Sequence, residues 1–260
     1  MQNQSPVQPP NKPSLLSECP ILRQIFEDRT LRENKINLPG DQTVSLFDST
    51  LELEYGQILF DAVLQEKPRR VIEIGMACGI SSLAMMTGLK RLGGGTLTSV
   101  DPYQLTYFRG AGAEFVKTAG LSAMHTLVVK ADYLFLPQLV SEGESGKFDF
   151  AYIDGNHTFD YTLLDAWYLD LLVRPGGILA FNDCSYQAVH RVINWLLSHR
   201  AYEEVNFLGR PHRRINFNWK QEIKRRLHGQ SRAQWYPLAE DRYFRKLKDT
   251  DSPWDFYAPF

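Results

Sequence analysis

The chain of 260 residues carries 29 Lys and Arg against 30 Asp and Glu, so its formal net charge at pH 7 is -1. Hydrophobic residues make up 43% and charged residues 23%, proportions that exclude a disordered or fibrous chain and indicate a globular protein. The balanced charge gives no global argument for nucleic acid, and we expect no nucleic-acid partner.

The sequence also bears on the cellular compartment. No apolar run approaches the roughly 20 residues that a membrane-spanning helix needs, and the start, MQNQSPVQPPNKPS, lacks the basic and apolar parts of a signal peptide. Cys19, Cys78 and Cys184 are an odd number without a CxxC pair, which argues against a disulfide framework and a thiolate zinc site. We therefore expect a cytoplasmic protein without a transmembrane segment, whose cysteines are small packing residues.

The first residues of the chain show no periodic pattern of apolar residues. Residues 1–14 hold four prolines among Gln, Asn and Ser, and we predict a disordered tail. Residues 15–67 are predicted to form an N-terminal helical cap. Its last helix is expected to run from a cap at Ser49 or Thr50 to about Lys67.

Short apolar runs then alternate with longer segments of helical periodicity. The predicted strands are RVIEIG, TLTSVD, TLVVKAD, FDFAYID and GGILAFND, and the predicted helices cover about residues 80–91, 106–119, 133–142, 159–173 and 186–199. Five such units predict a doubly wound parallel sheet of the Rossmann-like α/β class. The strands are nearly all apolar, as strands buried on both faces should be.

The pattern changes after His199. The runs YEEVNFLG and RINFNWK, separated by GRPHR, predict an antiparallel hairpin that completes a sheet of seven strands. The core is therefore predicted to span residues 68–219, and residues 220–260 are predicted to be a C-terminal appendage. Residues 210–232 hold eight Lys or Arg against one acid, which indicates a solvated face or a patch for an anionic group.

The loop after the first core strand has the sequence Glu73-Ile-Gly75-Met-Ala-Cys-Gly79-Ile-Ser81. Gly75 permits a sharp turn, and Gly79 lets the next helix begin close to a ligand. The spacing GxxxG differs from the GxGxxG of dinucleotide-binding proteins, which argues against a nicotinamide cofactor. Glu73 stands at the end of a buried strand, where a carboxylate needs a hydrogen-bonding or cationic partner such as a ligand amino group.

Two further acids end the next two strands. Asp101, 28 residues after Glu73, can accept hydrogen bonds from both hydroxyls of a ribose. Asp132 can accept one from an adenine amino group, or it can cap the following helix instead. Acids at three successive strand ends favour a ligand site over capping alone.

These segments resemble class I S-adenosylmethionine-dependent methyltransferases, in particular the catechol and caffeoyl-CoA O-methyltransferase branch. The stretch from Glu73 to Ser81 is similar to the first motif of that family, and Tyr55-Gly56-Gln57-Ile58-Leu59 resembles the segment before its first strand. The resemblance covers about residues 48–200. It implies S-adenosylmethionine held by the motif residues Gly75, Gly79 and Ser81, with Glu73 near the methionine moiety, Asp101 on the ribose and Asp132 near the adenine.

A second polar group follows the fourth and fifth core strands. Neighbouring strand ends bring Asp154 close to Asn182 and Asp183, which supplies two carboxylates and an amide oxygen. Such ligands suit magnesium, and calcium or manganese less specifically. The resembling family holds a divalent metal with an Asp and an Asp-Asn pair at these places, whereas the pair here has the reversed order. The alternative is that these acids cap the helices that follow.

His157 stands three residues after Asp154, where the resembling family has a lysine base. A neutral imidazole can take a proton from a hydroxyl, so His157 is predicted to be the catalytic base. The other histidines show no ligand spacing and are interpreted as surface or packing residues.

Together these features predict S-adenosylmethionine-dependent, metal-assisted methylation of a hydroxyl on a small molecule such as a phenol, a sugar or a secondary metabolite. Two alternatives stay open. One is metal-independent N- or O-methylation, and the other is a cofactor-binding protein that acts as an interaction module without methyl transfer. The acceptor, and whether the chain forms a homo-oligomer, cannot be read from the sequence.

Overall fold

The computed structural model describes residues 13–29, 35–38, 42–45, 53–207, 223, 227 and 241–260. Its N-terminal part consists of helices α1 (Leu15–Glu18) and α2 (Pro20–Arg29), the antiparallel strands β1 (Lys35–Leu38) and β2 (Gln42–Ser45), and helix α3 (Leu53–Glu66). The strands were not expected within a helical cap, but their sequences KINL and QTVS contain β-branched residues, which favour strands. The predicted tail, except residues 13 and 14, and the helix cap predicted at Ser49 or Thr50 lie outside the described residues.

Five strand-helix units follow, as the sequence predicts. They are β3 (Arg70–Ile74), α4 (Ile80–Arg91), β4 (Thr96–Val100), α5 (Ala111–Thr118), β5 (His125–Val128), α6 (Asp132–Ser141), β6 (Phe148–Ile153), α7 (Phe159–Leu172), β7 (Val173–Phe181) and α8 (Gln187–His199). The largest difference concerns α5, which was expected from about residue 106. Turns occupy residues 102–107, and Gly110, with φ of +76°, directly precedes the first helical residue.

Among the described residues the main sheet has seven strands in the order β5-β4-β3-β6-β7-β9-β8, where β8 is Tyr202–Val205 and β9 is Arg242–Lys246. The strands from β5 to β7 are parallel, and β9 is antiparallel to both β7 and β8. The predicted fold class and its antiparallel end are therefore confirmed. Among the described residues β8 pairs with β9, which comes from the expected appendage. The predicted partner RINFNWK lies outside the described residues, so its pairing stays a prediction.

The charges of β9 hide it from a hydrophobicity pattern. Its sequence is RYFRK, with three basic residues in five. Each of them has an acceptor in the fold, and the pairs are Arg242 with Glu204, Arg245 with Glu66, and Lys246 with the carbonyl oxygen of Asp170. Because the charges are satisfied, β9 can lie between β7 and β8 with Tyr243 and Phe244 buried.

The strand directions bring several loops to one edge of the sheet. The parallel strands from β3 to β7 all end at this edge, called the carboxyl edge here. Since β9 runs antiparallel to β7, with Arg242 opposite Phe181, the residue before β9 also lies at the carboxyl edge. Side chains that follow the parallel strands therefore meet Asp241 there.

Both faces of the sheet are covered. One face packs Val71 and Phe150 against α3, α4 and α5, and the other packs Ile72 and Ala151 against α6, α7 and α8. This arrangement agrees with the apolar character of the strands. Within the described part of the chain, no helix has the length and apolar character needed to cross a bilayer.

Candidate functional site

Residues 75–79 connect β3 to α4 and are called the glycine loop. Gly75 has φ of +85°, and a Cβ on it would lie 2.1 Å from the carbonyl oxygen of Asp154, so glycine is required at this position. Gly79, with φ of +78°, precedes α4, and a Cβ there would lie 3.0 Å from Cα of Gly112. The two glycines let the loop touch the loop after β6 on one side and the start of α5 on the other.

Asp101 holds the glycine loop in place. Its side chain is buried, and Oδ2 accepts the backbone N–H of Ala77 at 2.8 Å and that of Met76 at 3.2 Å. Oδ1 accepts the N–H of Tyr103 at 2.8 Å. These hydrogen bonds tie the ends of β3 and β4 together, so Asp101 supports the glycine loop. Its predicted contact with a ribose would be made beside that loop.

Glu73 is fully buried behind the glycine loop. It accepts hydrogen bonds from Ser81 at 2.9 Å, from Ser99 at 2.5 Å and from Ser82. Burial raises the pKa of Glu73 to about 7, although the three hydroxyls act in the opposite direction. Ser99 Oγ also lies 2.8 Å from Nε2 of His125, whose pKa burial lowers to about 4. The partners that a buried carboxylate needs are thus hydroxyls of the chain, and Ser81 is one of them.

Asp132 is the first residue of α6, at the carboxyl edge. Its Oδ1 accepts the N–H of Tyr133 at 2.7 Å, which suits an acid at the start of a helix. Asp165 of α7 is 1% exposed, and burial together with Asp132 raises the pKa of its carboxyl well above the usual range.

Asp154, His157 and Asp183 meet at the carboxyl edge and are called the Asp-His cluster. His157 Nε2 lies 3.2 Å from Asp183 Oδ2 and 3.8 Å from Asp154 Oδ1. Asp183 has φ of +51°, a left-handed conformation that Asp tolerates better than most residues. One donor atom of each residue falls within 4.8 Å of the other two, so a single ion could contact all three.

The charges within the Asp-His cluster are coupled. Burial raises the pKa of Asp154 to about 6, and His157 partly offsets this effect. Burial lowers the pKa of His157, but the carboxylates of Asp154 and Asp183 outweigh it and raise the pKa above its ordinary value. The imidazole also stacks on Tyr186, with ring centroids 5.3 Å apart and an interplanar angle of 16°, which holds the orientation of the ring.

The donor set fits a divalent cation. Two carboxylates supply hard oxygen ligands of the kind that Mg²⁺ and Mn²⁺ prefer. His157 Nε2 is buried and forms no well-aligned hydrogen bond with any residue that the structure describes, although it faces two carboxylate oxygens. A cation held by the two carboxylates would offset their negative charge, and it would leave Nε2 available to another partner.

Asn182, the third predicted metal ligand, contacts a residue that the sequence analysis did not identify. Its Nδ2 donates to Asp241 Oδ1 at 2.6 Å. Asp241 also accepts from Tyr243 OH at 3.1 Å and from Tyr152 OH at 3.4 Å, and burial raises its pKa to about 8. No pattern in the sequence points to Asp241, because it stands 59 residues after Asn182 in the expected appendage.

The match to known proteins covers the middle of the chain. Residues 72–184 match the family model described as a methyltransferase domain. The chain is 31% identical over 129 residues to the caffeoyl-CoA O-methyltransferase of Stellaria longipes, which covers 49% of this chain and 51% of the relative. It is 30% identical over 138 residues to the catechol O-methyltransferase domain-containing protein 1 of Mus musculus, and this match covers 51% of this chain and 48% of the relative. The chain thus spans about half the length of the curated relatives it matches.

Solved structures share the fold. The cofactor-bound Rv0187 from MTB is similar with a TM-score of 0.61 and 16% identity, covering 93% of this chain and 100% of that one. The O-methyltransferase TomG from Streptomyces achromogenes, in complex with SAM, is similar with a TM-score of 0.52 and 20% identity, and the match covers 75% of this chain and 82% of TomG. The expected resemblance to class I methyltransferases of the caffeoyl-CoA and catechol branch is confirmed.

Proposed function

We propose that this chain, in which residues 72–184 match a methyltransferase domain and about half of which is similar to caffeoyl-CoA and catechol O-methyltransferases, transfers a methyl group from S-adenosylmethionine to a hydroxyl of a small molecule, assisted by a divalent cation. The observation that carries this proposal is the contact between the glycine loop and the loop after β6. The position of a Cβ on Gly75 lies only 2.1 Å from the Asp154 carbonyl oxygen. A cofactor on the glycine loop would therefore be a direct neighbour of the Asp-His cluster.

The cofactor is proposed to lie at the carboxyl edge across β3, β4 and β5. Asp132 stands there at the start of α6 and can accept a hydrogen bond from the adenine amino group. Asp101 Oδ1 accepts a single N–H, that of Tyr103, within the described part of the chain and so keeps a lone pair for a ribose hydroxyl. Glu73 and Ser81 support the start of α4 from behind, where the methionine moiety is expected to lie close to them.

The cation is proposed to be held by Asp154 and Asp183, with Asn182 as the third ligand. When bound, it would lower the pKa of a coordinated substrate hydroxyl and fix the orientation of that hydroxyl. The side chains of Asp154 and Asp183 are 24% and 35% exposed, so both carboxylates can be reached from the solvent side. The two strand ends thus present their oxygens toward the side from which an acceptor would arrive.

His157 is proposed to remove the proton from the acceptor hydroxyl. A base must be neutral before the step, whereas the carboxylates of Asp154 and Asp183 favour the imidazolium form. A cation bound by those carboxylates would offset their charge and remove that bias, which would favour the neutral imidazole that a base requires. The stack on Tyr186 holds the ring while its edge faces the cluster. Because the sulfonium is already a good leaving group, positioning and proton removal are the main tasks left to the protein.

A methyl-transfer assay over catechols, phenols and sugars, with and without EDTA, tests the proposal. Chelation should abolish turnover and added Mg²⁺ should restore it. Asp154→Asn and Asp183→Asn should lower turnover by about 10–100-fold, as expected when a metal site loses support. Asp160→Asn is the matched control, because Asp160 is an exposed acid in the first turn of α7 and should leave turnover unchanged.

The outcomes separate the alternatives. Full turnover in chelated enzyme would contradict the cation and favour metal-independent methylation. Binding of S-adenosylmethionine without transfer to any acceptor in the panel would favour an interaction module instead.

A further inference from the structure

Asp241 is a buried acid at the carboxyl edge that the mechanism above does not use. It directly precedes β9, is 3% exposed, and reaches the site only because β9 runs antiparallel beside β7. Three side chains donate to its carboxylate: Asn182, Tyr152 and Tyr243. Placing a carboxyl group in such a buried position is costly unless its hydrogen bonds are satisfied, and here they are.

The contact with Asn182 selects one orientation of the amide. The amide has a donor end, Nδ2, and an acceptor end, Oδ1. The oxygens of Asp241 already accept hydrogen bonds from the hydroxyls of Tyr152 and Tyr243. In the structure Nδ2 is the end that lies toward Asp241, 2.6 Å from its Oδ1, and an amide nitrogen can only donate. Asp241 therefore binds the nitrogen end, and the oxygen end is left for another partner.

The backbone holds Asn182 beside the proposed cation site. Its N–H donates to the carbonyl oxygen of Ile153 at 2.9 Å, and Ile153 directly precedes Asp154. Asp183, the next residue along the chain, belongs to the Asp-His cluster. An amide oxygen at this position is thus a neighbour of both acids that are proposed to bind the cation.

We propose that Asp241 is a positioning residue, which holds the nitrogen of Asn182 so that Asn182 offers its oxygen to the divalent cation bound by Asp154 and Asp183. This inference rests on the proposed function, because it assumes a cation at that place. It gives the C-terminal segment a role in the site that residues 72–184 alone would not provide.

Binding of Mn²⁺ to the full chain, followed by electron paramagnetic resonance without any acceptor, tests this role. Asp241→Leu removes the acceptor and should weaken Mn²⁺ binding by about 10–100-fold, as expected when a support of a metal ligand is lost. Tyr243→Phe is the matched control, because it removes a different donor to the same carboxylate and keeps the ring. It should change the affinity by less than about threefold.

A double-mutant cycle shows whether Asp241 acts through Asn182. In the Asn182→Ala background, Asp241→Leu should cause no further loss of Mn²⁺ affinity, because the amide that it orients is absent. If Asp241→Leu does not fold, Asp241→Asn takes its place in the cycle, with a smaller loss that should also vanish in the Asn182→Ala background.

Several results would overturn the inference. These are wild-type affinity in Asp241→Leu, an equal loss in Tyr243→Phe, or additive losses in the cycle. They differ from failure of the proposed function, which would appear as a folded wild-type protein that binds no Mn²⁺ at all.

Discussion

Gly75→Ala tests whether the contact between the glycine loop and the loop after β6 is as close as the structure has it. The added Cβ would meet the carbonyl oxygen of Asp154 at 2.1 Å and its carbonyl carbon at 2.7 Å, so the backbone of one loop must move. The left-handed φ of +85° adds strain of about 1–2 kcal/mol for an L-residue. Relief of the collision should cost about 1–3 kcal/mol more, as for other overpacked sites.

Gly143→Ala is the matched control for this substitution. Gly143 has a similar φ of +78°, but a Cβ there meets no atom within 4 Å, so only the strain remains. Gly75→Ala should therefore lower the free energy of unfolding by about 1–3 kcal/mol more than Gly143→Ala does. That difference corresponds to a Tm roughly 2–12 °C lower for a chain of this size, measurable by thermal denaturation. Equal Tm values for the two variants would refute the close contact and, with it, the argument that places the cofactor beside the Asp-His cluster.

Three further predictions concern buried charges and the base. The pKa of Glu73 in the folded state is raised to about 7. As the pH rises from about 5 to 8, the free energy of unfolding of the wild type should therefore fall by up to about 3 kcal/mol relative to that of Glu73→Gln. A difference between the two proteins that stays the same at every pH would contradict this. Asp170→Asn leaves Lys246 and Arg200 without a buried carboxylate and should destabilise the fold by about 3–5 kcal/mol in urea denaturation. An unchanged free energy of unfolding would show that these two ion pairs contribute nothing. His157→Ala should lower kcat by roughly 10²–10⁴-fold in a methyl-transfer assay, and a parallel loss of S-adenosylmethionine affinity would instead indicate a structural role.

The parallel units could be predicted because each has a local pattern. Helix α4 begins and ends where its periodicity indicates, and β6 is an apolar run bounded by turn residues. The meeting of Asp154 and Asp183 follows from the same topology, since β6 and β7 are neighbours whose ends share one edge. Sequence reasoning therefore reached the acids of the cluster and the histidine between them.

Contacts that depend on non-local pairing could not be predicted in this way. Glu73 is satisfied partly by Ser99, which lies opposite it on β4, and this register is known only when the sheet order is known. Asp241 reaches Asn182 through β9, whose basic residues resemble a solvated surface in sequence. In both cases the deciding partner lies on another strand, and no spacing along the chain encodes it.

The most direct test of the account is a calorimetric titration of the full chain with S-adenosylmethionine. We expect saturable one-to-one binding that S-adenosylhomocysteine displaces, and no binding of NADH, because the glycine loop lacks the spacing that cradles a dinucleotide pyrophosphate. A folded protein that gives no heat with S-adenosylmethionine, or that binds NADH in its place, would contradict the assignment of the carboxyl edge as a methyl-donor site.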